Sequence, residues 1–146
     1  MYMSQPVKSV TFSSDKPYLL TQKQIFLLTA VGVIFWFVGA MCVKFGSAFG
    51  FFGPTASIFS FGAGILISWL SVRFMVKLVG LSAPQIVPGV SFGLAVATFF
   101  DGIFITWGPT LYGSSYDEIT LGAAWILWGA CTFLTAAFVE AWRRDI

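Results

Sequence analysis

The sequence predicts an all-α fold, an integral membrane protein built as an up-down bundle of four transmembrane helices, and three observations predict it. Of 146 residues, 58% are hydrophobic and 10% charged, against about a quarter charged in an ordinary soluble domain. Between Lys44 and Arg73 lie 28 residues without a formal charge, and uncharged runs of 20, 23 and 21 fill residues 24–43, 78–100 and 119–139. As a helix rising ~1.5 Å per residue, each run covers a hydrocarbon layer of about 30 Å. No span alternates polar and apolar residues with period 2, which argues against a membrane barrel.

Residues 1–23 carry Lys8, Asp15, Lys16, Pro17 and Lys23. They are too polar to enter lipid and too few to bury a core, so a flexible cytoplasmic tail is expected there. Its polarity also argues against a cleaved signal peptide, because the first apolar run is already of spanning length. Residues 24–146 form the membrane domain. Its first span is expected over about 24–44, with Lys44 snorkelling to the headgroups and a Gly- and Phe-rich turn following. The second covers about 55–76, opened by Pro54, whose missing N–H does no harm at a helix start. The third runs over about 83–107 and stops at the breaker Gly108-Pro109. The fourth covers about 118–142, behind Asp117 and Glu118, acids that suit the positive end of a helix dipole. Short connections then force neighbouring spans antiparallel.

In this layout Lys8, Lys16, Lys23, Arg73, Lys77, Arg143 and Arg144 share one side and Lys44 stands alone on the other, which puts both termini in the cytoplasm by the positive-inside rule. Trp69 and Trp142 are expected near the inner headgroups, and Trp107, Tyr112 and Tyr116 near the outer ones. The same composition argues against several chemistries. Basic residues scattered at helix ends do not make a nucleic-acid footprint. Without histidine there is no haem of the cytochrome type and no Ser-His-Asp triad, and no metal-ligand cluster or phosphate loop is visible. Cys42 and Cys131 sit at different depths, too far apart for a disulfide. The acid that small four-span multidrug exporters need in their first span is missing.

Asp101 is the acid that stands deep inside a span, about 9 Å from its Trp107 end. A mid-membrane Asp costs about 2.5–3.5 kcal/mol on translocon scales, so it should face the bundle and find a partner. Counting helical rise puts Trp36, Ser60 and Trp125 at a similar depth. One reading is a polar pocket with Asp101 as its ionisable group, Ser60 and a Trp indole as partners, and Lys44 reaching in from above. The blander reading, which is favoured, makes Asp101 a structural link between helices. Gly89, Gly93 and Ala97 lead up to it as a small-residue stripe. Ser57, Ser60, Gly64, Ser68 and Ser71 form another at steps of 3, 4, 4 and 3, and Gly32 with Gly39 and Gly122 with Gly129 repeat the theme. Close helix packing is the first meaning of each. Arg73 and Glu140, near the inner ends of their spans, are candidates for an ion pair, with snorkelling to water slightly preferred for each.

The segments FFDGIFITWGPTLYG (99–113) and GAAWILWGACTFL (122–134) resemble an uncharacterised family of small four-span bacterial inner-membrane proteins. The likeness covers about the C-terminal half and rests on the Asp in the third span, the breaker before a short Tyr-bearing loop, and AAWILWG. It implies a bacterial inner-membrane location and carries over Asp101, Trp125 and Trp128, without an assigned activity. The sequence as a whole therefore points to a non-catalytic structural or accessory subunit, packing with itself or with a larger membrane complex. The alternative is a small oligomeric transporter or channel that binds a proton or cation at Asp101. No cofactor is expected, and a lipid, quinone or carotenoid between Trp36, Trp125 and Trp128 is the weakest of the readings.

Overall fold

The computed structural model describes residues 18–53 and 55–145 and is all-helical across them. Its four long helices are α1 (Gln22–Ala48), α2 (Ser57–Val79), α3 (Ala83–Trp107) and α4 (Tyr116–Asp145), with a 3-10 turn at Pro109–Leu111. All four are long and apolar enough to cross a membrane. The tail expected over 1–23 lies outside the described residues as far as residue 17, and so does Pro54. From Leu19 onward the chain is tied to the bundle.

Local chemistry explains each boundary. Thr21 and Gln24 form a capping box that opens α1, the Thr21 N–H donating to Gln24 Oε1 at 2.9 Å and the Gln24 N–H to Thr21 Oγ1 at 3.2 Å. α1 closes on Gly50, whose φ of 71° lets the Phe51 N–H return to the Gly46 carbonyl and the Gly50 N–H to Ser47. Gly80, at φ 69°, does the same for α2 by letting the Leu81 N–H reach Val76. Glu118 and Ser115 cap the start of α4: the Ser114 N–H donates to Glu118 Oε2 and the Glu118 N–H to Ser115 Oγ. Pro88 stands inside α3 without breaking it, as membrane helices tolerate.

The helices stack as two hairpins face to face. α1 lies mainly on α3, α2 on α4, and α3 on α4, whereas α1 and α2 have little contact with each other despite their short connection. The first two pairings are parallel. Gln24 meets Gln85, Gly32 meets Gly93 and Trp36 meets Phe100, climbing α1 and α3 in one direction. One end of the bundle, the basic end, carries the N-termini of α1 and α3 with Arg143 and Arg144; the other, the loop end, carries both hairpin turns.

Two apolar layers fill the interior. At the basic end Leu28, Val72, Met75, Val76, Ile86 and Val90 are all at most 1% exposed. At the loop end Ala40, Val43, Phe52 and Tyr112 form a smaller cluster. Outside, Phe26, Ile58, Phe59 and Leu127 are each more than 70% exposed. Surface of that kind is unfavourable in water and natural in lipid. At the basic end the side-chain amides of Gln24 and Gln85 pair reciprocally, at 3.1 and 3.3 Å, while Gln85 also donates to the Leu19 carbonyl at 2.7 Å. That clamp joins the starts of α1 and α3.

Candidate functional site

The site around Asp101 is built by a chain reversal. Gly108 ends α3, Pro109 opens the 3-10 turn, and the Tyr112 N–H closes it on the Pro109 carbonyl at 2.9 Å. This folds Tyr112 back into the bundle, where its ring is fully buried in the cluster with Ala40, Val43 and Phe52. Its hydroxyl donates to Asp101 Oδ1 at 2.6 Å and accepts from Trp36 Nε1 at 2.9 Å. The first length falls in the range of a hydroxyl on a carboxylate oxygen. Trp36 is held in turn by Phe100 and Phe104, at centroid distances of 5.1 and 4.8 Å. One chain of hydrogen bonds thus ties α1, the loop and α3 together. Burial, and next the donation to Asp101, pushes the Tyr112 phenol above its ordinary pKa.

Tyr112 is the member of the site that the sequence reading places elsewhere, among headgroup aromatics. The other expected partners of Asp101 are also differently engaged. The Ser60 hydroxyl donates to the Ser57 carbonyl at 3.1 Å, and its own carbonyl accepts from Trp125 Nε1 at 3.2 Å. Trp128 Nε1 likewise donates to the Phe61 carbonyl at 3.0 Å. Both indoles lie beside Gly64, where an added Cβ would meet them at an ordinary 3.5–3.7 Å. Lys44 is exposed and forms no ion pair among the described residues. Helical rise puts these groups on one level, but the Ser60 hydroxyl is spent on its own helix while α3 turns Asp101 towards α1 and the loop.

A cavity of about 140 Å³ opens beside Asp101, with Trp36, Gly39, Gly64, Ala97, Trp125 and Gly129 among its walls. It exists because small residues from all four helices converge there. A Cβ added at Gly39 or Gly129 would meet nothing within 4 Å, so these two glycines leave a void where close packing was expected. Gly32 does mediate close packing: a Cβ there would stand 2.6 Å from the Gly93 carbonyl oxygen. Gly93 and Gly89 are buried, against Met75 and Leu81 respectively. A Cβ at Gly122 would collide with Val43. Ser68 hydrogen-bonds Thr132 across α2 and α4 at 2.7 Å.

Arg73 and Glu140 do not pair. Glu140 is 4% exposed and is taken by its own helix, with Arg144 Nε at 3.0 Å and an Arg143 nitrogen at 3.9 Å. The Arg73 guanidinium lies over the Trp69 ring, 5.1 Å from its centroid. Cys42 and Cys131 are free. Among the described residues no group of three His, Cys, Asp or Glu side chains gathers as metal ligands.

Four spanning helices around a mostly apolar interior make this a multi-pass membrane protein. Comparison with protein-family models, with curated proteins and with solved structures gives no match.

Proposed function

We propose that the chain is a non-catalytic structural or accessory component of a membrane, working by helix packing with itself or a larger complex. The observation that carries this reading is how Asp101 is used. Its carboxylate is held by Tyr112 within a clasp that closes the loop end. Below it, the layer of Leu28, Val72, Met75, Ile86 and Val90 fills the way to the basic end with hydrocarbon. A proton or ion path needs polar groups or water on both sides of its binding site. By this reading Asp101→Asn in a reconstituted or cellular assay leaves membrane function intact while lowering thermal stability. A flux or coupled activity abolished by that change, with the fold retained, overturns it.

One observation favours the second reading, a transporter or channel: the carboxylate borders a cavity with room for a few waters. Proteoliposome flux of protons or monovalent cations that vanishes in Asp101→Asn is its signature.

The location we propose is a bacterial inner membrane with both termini in the cytoplasm. It is supported by seven of the eight basic residues falling on the tail side of the four-span layout. Impermeant labelling of cysteines introduced at Ser4 and Ser115 tests it, the expectation being that the reagent reaches Ser115 alone in intact cells.

A further inference from the structure

The splaying of α1 from α2 leaves a cleft of about 820 Å³ on the outside of the bundle, lined by Phe37, Met41, Phe45, Phe59, Ala63 and Trp125 among others. We propose that this cleft is a binding site for the hydrocarbon chain of one membrane lipid, drawn from the leaflet that contains the 49–53 connection.

Three features select that occupant. The cleft has a blind end: the 49–53 connection crosses its top, with Phe52 only 5% exposed and packed so closely on Gly46 that a Cβ there would lie 2.8 Å away. A membrane-spanning partner helix would have to pass through that cap. Second, the α1 wall runs from Phe37 to Gly46, nine steps or about 14 Å of helix, which is close to one leaflet of a ~30 Å core. Third, the wall offers little to a polar ligand. The Ser60 hydroxyl is already committed to the Ser57 carbonyl. Trp125 and Ile67 line both the cleft and the Asp101 cavity, so they stand as the partition between them and keep the chain off the carboxylate. What remains is a slot one leaflet long, closed on the water side, with aromatic walls.

The test uses the full-length protein in phosphatidylcholine nanodiscs containing a phosphatidylcholine with a diazirine halfway along one acyl chain, with cross-links mapped by mass spectrometry. Labels are expected to concentrate on Met41, Phe45, Phe59 and Ala63, about tenfold over the exposed Phe99, Leu127 and Phe138, a preference of ~1.4 kcal/mol. Ala63→Trp, which fills the slot from an exposed position, should bring cleft labelling down to the level of the other faces. Even labelling of all outward positions in the wild-type protein overturns the proposal, because the lipid there is then only annular. So does protection of the cleft in nanodiscs whose native mass is that of two protein copies, which makes the occupant a second copy. The label map and the mass of the wild-type protein separate these outcomes without the variant.

Discussion

The Tyr112 hydroxyl stands 2.6 Å from Asp101 Oδ1 across eleven residues of chain, and this contact fixes the loop end of the bundle. It turns an acid that would be costly in lipid into an anchor for the 3-10 turn, and the Trp36 indole carries the anchor on to α1. Tyr112→Phe removes the donor to Asp101 and the acceptor for Trp36 together, each worth about 1–3 kcal/mol when its partner is left buried. Asp101→Asn keeps an oxygen that can accept from Tyr112. Tyr112→Phe should therefore melt at the lower temperature, as followed by near-ultraviolet circular dichroism in detergent. Equal melting temperatures for the two variants defeat the clasp.

The same burial sets a pH dependence. A phenol held neutral in the folded state, with its pKa raised above the unfolded value, contributes stability that is complete below about pH 10 and is lost as pH climbs beyond it. Alkaline unfolding of the wild-type protein should steepen from about pH 10 upward, and Tyr112→Phe should flatten that limb. A limb of unchanged slope in the variant assigns the alkaline loss to other groups.

Much of this architecture was legible because long uncharged runs leave a chain few alternatives. Ser82 and Gly108-Pro109 bracket α3 at 83–107, since a cap and a breaker act through local geometry. The candidate site was harder to read because helical rise gives depth without azimuth. Ser60, Trp125 and Asp101 share a level, yet the indole of Trp125 is spent on an α2 carbonyl. Tyr112 carried a signal that depth counting passed over. A Gly-Pro breaker four residues before an aromatic reverses the chain, and a reversed aromatic re-enters the core instead of resting among headgroups. The Gln24–Gln85 clamp was hidden for another reason, since pairing between two helix starts depends on which helices are neighbours.

The ion pairing of Glu140 offers a discriminating cycle. Arg144 lies 3.0 Å from it, while Arg73 is occupied on Trp69. A double-mutant cycle of Glu140→Gln with Arg144→Ala should return a coupling of about 0.5–1 kcal/mol, the modest value of a pair one turn apart whose arginine stays open to solvent. The cycle with Arg73→Ala should return none beyond the ~0.3 kcal/mol scatter of independent sites. Coupling to Arg73 larger than to Arg144 would mean that the basic end is arranged differently.

Two glycines with the same sequence signature should respond with opposite signs. At Gly32 an added methyl runs into the Gly93 carbonyl oxygen and Val96, both on α3, and a helix backbone cannot move aside as a side-chain tip can. Gly32→Ala should then lose about 1–3 kcal/mol, the usual cost of overfilling a close contact. At Gly129 the methyl enters the cavity beside Asp101 and meets nothing within 4 Å. There the helix preference of Ala over Gly, about 0.5–1 kcal/mol, acts unopposed and is joined by partial filling of a void. Gly129→Ala should raise the unfolding temperature while Gly32→Ala lowers it. If Gly129→Ala also destabilises, the space beside Asp101 is occupied in the membrane, and the cavity holds water or lipid that the methyl displaces.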